Sequence, residues 1–167
     1  MLAEKLRILA HPPMLWSNFI ATLALTAVFG AVMHFWDVVI IDEMYDAGAI
    51  LAHIADLTPK QRSVHAWLTG SVDVLYPLVY GGFFIGVALK AFGRTGIWWA
   101  IPSALVIPVD LFEGFTQIML LNGHTEYIHA KVAATPIKLV LFVAGLAITS
   151  GGLFQIFRSR DARRPER

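Results

Sequence analysis

An aspartate, Asp73, lies inside a stretch of this sequence that is apolar and long enough to cross a lipid bilayer. A carboxylate at membrane depth is costly, so such residues usually have a partner and a function. Tyr76 and Tyr80 follow Asp73 at steps of three and four residues, which places the three side chains on one face of a helix. One face of this segment is therefore predicted to be polar, and the charge of Asp73 needs a balancing group.

Two further apolar segments also carry ionisable side chains. In the first of them Asp110, Glu113 and Gln117 lie at positions i, i+3 and i+7, so they share one face of a helix, and Thr116 adjoins Gln117. The second carries Lys138 near its start. Candidate partners for Asp73 therefore come from two other predicted helices.

The depths of these charges in the membrane agree. Counted from the predicted interface at about 1.5 Å per residue, Asp73 is about 9 Å deep and Lys138 about 10 Å. Glu113 and Asp110 are about 14 and 18 Å deep on the same scale. Because all four groups lie in the same half of the membrane, we expect one polar site among the second, third and fourth helices. The residues expected to line it with hydrogen-bonding groups are Tyr76, Tyr80, Thr116 and Gln117.

Three carboxylates and one ammonium give this predicted site a formal charge of −2 if all are ionised. A site of low dielectric favours either a protonated carboxyl group or a cationic ligand, metal or proton-linked substrate. If the protein is an enzyme, Asp73, Asp110, Glu113 and Lys138 are the catalytic candidates, with one carboxyl group donating a proton and another accepting one. The alternative is a structural network, in which Lys138 extends to the interface and the carboxyl groups hold the helices together.

Composition places the chain in the membrane class. Of its 167 residues 57% are hydrophobic and 15% charged, and the mean hydropathy is +0.64, which lies outside the usual range of soluble domains. The absence of cysteine excludes disulfides, thiolate catalysis and cysteine-ligated zinc or iron–sulfur centres. A formal net charge of +1 gives no reason to expect a nucleic acid partner.

A metal site is the weaker of two interpretations of the histidines. Four of them are predicted to lie in or beside the outer loops, and two of these flank Glu126. Imidazole and carboxylate groups suit transition metals, but solvated loop histidines explain the pattern more simply. No metal is therefore assigned, and no cofactor is identified. The residues concerned are His34, His65, His124 and His129.

The predicted fold is all-α, a polytopic transmembrane four-helix bundle that forms a single domain over residues 1–167. Its spans are expected at about 14–36, 65–91, 96–121 and 132–157, with a basic tail at 158–167. Thr58-Pro59-Lys60-Gln61 is typical of a capping box at a helix start. The acidic loop before it has apolar residues at helical spacing, which predicts a short amphipathic helix. That helix either lies on the membrane surface or caps the mouth of the bundle, or it is a solvent-facing linker that covers nothing.

The distribution of basic residues predicts the orientation. Nine Lys and Arg residues lie in the N-terminal lead, the turn at 90–94 and the tail, whereas the two loops at 37–65 and 122–131 hold three. By the positive-inside rule both termini are cytoplasmic and the acidic loops face outward. The expected location is the cell membrane, which is the inner membrane if the source is bacterial.

Two classes of function are compatible with these features. In the first, the buried polar site binds or acts on a small amphiphile or lipid headgroup, with proton exchange in one version, and membrane lipids are the partners. In the second, the protein is a non-catalytic accessory subunit that contacts protein partners through helix faces rich in small residues. An ion pathway is a weaker candidate, because it requires polar residues in both halves of the membrane.

Overall fold

The computed structural model describes the backbone of residues 6–161 and the side chains of residues 6–159. Lys5 and residues 162–167, which belong to the predicted basic segments, lie outside the described residues. Four helices are long and apolar enough to cross a membrane, which confirms the predicted all-α transmembrane bundle. The helices are α1 (Pro12–Trp36), α2 (Ala47–Asp56), α3 (Pro59–Phe92), α4 (Gly96–Trp99), α5 (Ile101–Leu121) and α6 (Ile128–Asp161), and 3₁₀ turns occupy Arg7–Ala10 and Thr125–Tyr127.

The chain runs up and down through the bundle, with α4 and α5 together forming the third span. The 3₁₀ turn at Arg7–Ala10 lies beside the turn at 93–95, and the start of α1 lies beside the end of α6. We call this the termini side. The loops at 37–46 and 122–127 lie on the opposite side, here called the distal side.

Helix α3 lies at the centre of the bundle. It packs against α1, α5 and α6, and α5 also packs against α6. Within its most apolar stretch 67% of the residues of α3 are buried, against 6% for α1. The bundle is therefore a three-helix core of α3, α5 and α6, with α1 attached to α3 through contacts such as that between the rings of Phe19 and Phe83, 5.4 Å apart.

The start of α3 has the capping box that the sequence predicts. The backbone N–H of Gln61 donates to the Thr58 hydroxyl at 3.2 Å, and the backbone N–H of Thr58 donates to the Gln61 side-chain oxygen at 3.1 Å. Pro59 is the first helical residue, where a missing N–H costs nothing. The helix then continues through Pro77 to Phe92 and carries Asp73 in its distal half.

Helix α2 covers the distal end of the core. Its apolar residues Ile50 and Ile54 pack in one cluster with Leu121 of α5 and Ile128 of α6. The side chain of Asp46 caps the start of α2 by accepting the N–H of Ala49 at 2.7 Å. This packing brings the preceding loop, residues 37–46, over the space between α3, α5 and α6.

Close packing at Gly96, the first residue of α4, gives a test of the fold. A Cβ atom there would lie 2.6 Å from the carbonyl oxygen of Ala88 and 2.8 Å from the Cα of Leu89, both backbone atoms of α3. We expect Gly96→Ala to lower the free energy of unfolding by about 1–3 kcal/mol, as overpacking does elsewhere. The measurement is the midpoint of thermal unfolding in detergent micelles.

The matched control for this variant is Gly30→Ala in α1. A Cβ atom at Gly30 meets nothing within 4 Å, and alanine is the better helix former. The midpoint of this control should equal or exceed that of the unmodified protein. Equal midpoints for the two variants would contradict the close contact between α4 and α3.

Candidate functional site

Glu113 of α5 is a fully buried charge, with 0% of its surface exposed. One carboxylate oxygen accepts a hydrogen bond from the hydroxyl of Thr135 and lies 3.3 Å from Lys131 Nζ. The other oxygen pairs with Lys138 Nζ. The three partners all belong to α6 and lie at positions i, i+4 and i+7, so they share one face of that helix. Glu113 therefore joins α5 to α6 through a buried charged network.

Lys131 connects the same network to the loop at 37–46. Its ammonium group donates to the backbone carbonyls of Met44 at 2.8 Å and Asp42 at 3.3 Å, and to the Thr135 hydroxyl at 3.0 Å. The side chain is fully buried. With Glu113 as counter-charge, these contacts use all the donors of the ammonium group and hold the loop over the core.

Asp42 brings a carboxylate from this loop into the site. Its Oδ1 atom accepts a hydrogen bond from the Gln117 amide at 2.5 Å, and its Oδ2 atom lies 3.7 Å from Lys138 Nζ. Lys138 also lies 3.4 Å from Asp110 Oδ1. One ammonium group of α6 is thus shared by carboxylates from α5 and from the loop.

Asp110 is held from a third helix as well. The Tyr80 hydroxyl of α3 donates to Asp110 Oδ2 at 2.7 Å. Since the other oxygen of Asp110 faces Lys138, this carboxylate is bonded on both sides. It links α3, α5 and α6 at one point.

Asp73 differs from the other carboxylates of the site. It is 8% exposed, and among the described residues it makes no side-chain hydrogen bond and no ion pair. Its Oδ2 atom would lie 3.5 Å from a Cβ atom at Gly114, so the carboxylate faces α5. Asp73 is thus a nearly buried charge without a cationic partner in the described part of the chain.

A cavity of about 240 Å³ lies between these charges and the loop at 37–46, and we call it the loop cavity. Asp73 and Asp110 form part of its wall, and Ile40 and Leu139 contribute apolar surface. The other polar lining residues are Asp42, Glu43, Thr135 and Lys138, and the aromatic ones are Tyr45, Tyr76, Tyr80 and Phe142.

The structure brings the predicted site residues together, but at two different levels. Asp73, Tyr76, Tyr80, Asp110 and Lys138 line the loop cavity. The others are fully buried behind it and do not contribute to its wall. In that second layer the Thr116 hydroxyl donates to the backbone carbonyl of Glu113, and Gln117 donates to Asp42.

Three side chains of the hydrogen-bonded and charged network around Glu113 are not among the predicted site residues. Asp42 and Lys131 were placed in loops, and Thr135 had no role. Helix α6 begins at Ile128, four residues before the expected start of the fourth span, so Lys131 is helical and buried. The spacing of Lys131, Thr135 and Lys138 was a readable signal, because it places them on one helix face.

The additional residues leave the charge balance unchanged. The buried and half-buried part of the site contains four carboxylates, those of Asp42, Asp73, Asp110 and Glu113, and two ammonium groups, those of Lys131 and Lys138. The carboxylate of Glu43 in the cavity wall is exposed and is not counted with them. Four negative and two positive charges give a formal charge of −2 if all are ionised. Both ammonium groups are already paired with carboxylates other than Asp73.

The histidines do not converge on this site as a group. His65 lies in α3, and it is fully buried with neither ring nitrogen hydrogen-bonded within the described region. His124 lies in an exposed turn with its Nδ1 atom 3.3 Å from Glu126. Within residues 6–159 no group of three or more histidine or carboxylate side chains is arranged to hold a metal ion.

Comparison with known proteins returns no relative, because no protein-family model, curated protein or solved structure matches the chain. The chemistry available to the site therefore follows from its own geometry. A cluster of carboxylates with excess negative charge opens onto a cavity walled by aromatic rings. Such an arrangement can bind a cationic group or exchange a proton.

The buried network around Glu113 predicts the effect of removing one of its cations. Lys131→Met leaves Glu113 with fewer partners and releases the carbonyls of Met44 and Asp42. Breaking a buried pair by removing one partner costs about 3–5 kcal/mol, so we expect a clear fall in the midpoint of thermal unfolding in detergent. Lys60→Met is the control, because Lys60 is exposed in the first turn of α3 and should leave the midpoint unchanged.

A double-mutant cycle separates this pairing from a general loss of packing. Glu113→Gln combined with Lys131→Met should cost less than the sum of the two single changes, because groups that interact directly are not additive. Strictly additive losses, or an unchanged midpoint for Lys131→Met alone, would show that the ion pair does not support the fold.

Proposed function

We propose that this multi-pass membrane protein binds an amphiphile with a positively charged headgroup, and that the headgroup occupies the loop cavity beside Asp73. One observation carries the proposal. Asp73 is nearly buried and faces the cavity, yet both lysines of the site pair with other carboxylates. A cationic headgroup supplies the charge that the described residues do not provide for Asp73.

The charge of the whole cluster supports this choice of ligand. A buried carboxylate without a partner is costly, and the cost falls when a cation or a proton reaches it. With a formal charge of −2, the cluster favours a cation over an anion. A cation and a proton neutralise the same carboxylate, so binding of one displaces the other. The proposed binding is therefore linked to protonation of the site.

The aromatic wall of the cavity suits the same headgroup. The rings of Tyr76 and Tyr80 are 5.3 Å apart, and those of Tyr80 and Phe142 are also 5.3 Å apart. Faces of aromatic rings attract ammonium groups by about 0.5–2 kcal/mol. The Tyr80 hydroxyl is already bonded to Asp110, so the ring is held in place for such a contact.

An enzyme that acts on the bound amphiphile would use the same cavity. Asp73 and Asp110 reach the cavity and would exchange protons with the substrate, while Lys138 would provide the positive charge. Glu113 is fully buried behind them and would position Lys138 through their ion pair. We propose binding as the primary function, because a bound cation is sufficient to balance the charge of Asp73 and no reaction is needed.

Orientation completes the proposal. The excess of Lys and Arg at the termini and in the turn between α3 and α4 supports a cytoplasmic position for these segments under the positive-inside rule. The loop cavity, on the distal side, then opens toward the outer leaflet of the cell membrane. The proposed ligand is therefore taken up from that leaflet.

Binding of dodecylamine tests the proposal directly. The probe is added to the protein in phosphatidylcholine nanodiscs, and bound molecules are counted by native mass spectrometry, with dodecanol as the uncharged counterpart. We expect dodecylamine to bind and dodecanol not to. Asp73→Asn removes a charged partner worth about 1.5–3 kcal/mol, which corresponds to an affinity about 10- to 100-fold weaker.

Asp56→Asn is the matched control for this experiment. Asp56 is the last residue of α2 and is exposed, so the same chemical change should leave binding unaltered. Unfolding midpoints of both variants verify that they are folded. Equal dodecylamine binding by Asp73→Asn and the unmodified protein, or equal binding of the amine and the alcohol, would refute the proposed function.

A second candidate function, that of an accessory subunit, is favoured by the packing of α1. No residue of this helix is buried, and large apolar side chains such as Trp16 and Ile20 lie on its exposed face. If a partner protein covers this face, mild solubilisation should preserve a stoichiometric complex detectable by native mass spectrometry. Recovery of this chain alone or only with copies of itself would remove this candidate.

A further inference from the structure

A second cavity of about 230 Å³ lies between α3 and α5, and Asp73 and Asp110 line it as well. These two carboxylates are the only described residues that line both this cavity, here called the lateral cavity, and the loop cavity. Thr69 adds one hydroxyl group to the lateral cavity. The rest of its wall is apolar or glycine: Gly70, Val74, Leu111, Gly114, Phe115 and Ile118.

The lateral cavity faces the lipid. Val74 of α3 is 40% exposed and Phe115 of α5 is 47% exposed, and both belong to spanning helices. The opening between them therefore leads from the hydrocarbon region of the bilayer toward the two carboxylates. The loop cavity, in contrast, is covered by the acidic loop and has Asp42 and Glu43 in its wall.

Two glycines keep the lateral cavity open. A Cβ atom at Gly70 would lie 3.5 Å from the end of the Ile118 side chain. A Cβ atom at Gly114 would lie 3.5 Å from both the Asp73 carboxylate and the Thr69 methyl group. Since these are ordinary contact distances, larger side chains at these positions would occupy the space rather than be excluded by the backbone.

We infer that the lateral cavity holds the apolar chain of the ligand, while its cationic headgroup binds at Asp73 and Asp110. The ligand class is therefore a single-chain amphiphile with an amine headgroup, which enters sideways from the membrane between α3 and α5. This inference rests on the proposed function and adds the position of the chain and the route of entry. One cleft between two helices suits one alkyl chain.

A photoreactive dodecylamine that carries a diazirine in the middle of its alkyl chain shows where the alkyl chain lies in the protein. The labelled residues are identified by mass spectrometry after irradiation of the protein in phosphatidylcholine nanodiscs, with and without an excess of plain dodecylamine. We expect Val74, Phe115 and Ile118 to be labelled, and we expect an excess of plain dodecylamine to prevent this labelling. Dodecanol should not compete, because it has no charge for Asp73.

Gly70→Leu should fill the lateral cavity and abolish the competed label on α3 and α5. Its matched control is Gly151→Leu in α6, where a Cβ atom meets nothing within 4 Å and the label should be retained. The two variants make the same change at exposed helical glycines, so a general effect of leucine on the helix would appear in both.

The outcomes separate this inference from the proposed function. Competed label at Ile40, Leu139 and Phe142 would place the chain in the loop cavity and overturn the lateral route, while the headgroup site would stand. If excess dodecylamine does not prevent labelling at Val74 and Phe115, the label comes from probe dissolved in the bulk lipid, and the lateral route is overturned. Full labelling of Gly70→Leu would overturn it as well. The absence of competed label anywhere would overturn both proposals.

Discussion

The pairing of Glu113 with Lys131 and Lys138 is the interaction on which the rest of the site depends. A carboxylate with no exposed surface in the middle of a spanning helix is tolerable only if cations and hydrogen-bond donors surround it. All of these partners come from one face of α6, so the network fixes the rotation of α6 about its axis relative to α5. That rotation in turn directs Lys131 toward the loop at 37–46 and Lys138 toward Asp110.

Three carboxylates of the site are bound by contacts within the protein, and a fourth is not. Glu113, Asp110 and Asp42 each contact a lysine, and each also accepts a hydrogen bond from Thr135, Tyr80 or Gln117. These contacts stabilise the packing of the loop and of three helices. Asp73 faces the same space without such a contact among the described residues. Glu113, Asp110 and Asp42 thus form a network that joins the helices and the loop, whereas the proposed binding site centres on Asp73.

Much of the fold follows from sequence patterns, whereas the site depends partly on tertiary contacts. The four spans and the capping box at Thr58 are set by local hydrophobicity and hydrogen bonding, so they were predictable. Asp42 was not, because its position requires the loop to be held by Lys131, a contact between distant parts of the chain. Lys131 was missed because α6 begins earlier than the apolar pattern indicates, and helix boundaries are the least predictable feature of a sequence.

The presence of two unlike cavities at one pair of carboxylates favours an amphiphile over a soluble cation. A soluble cation would reach Asp73 through the loop cavity alone, past Asp42 and Glu43. The lateral cavity would then play no part in binding, and the buried Gly114 would leave space unfilled where most protein interiors are closely packed. The proposed amphiphile would use both features, because its headgroup needs the carboxylates and its chain needs an apolar cleft open to the lipid.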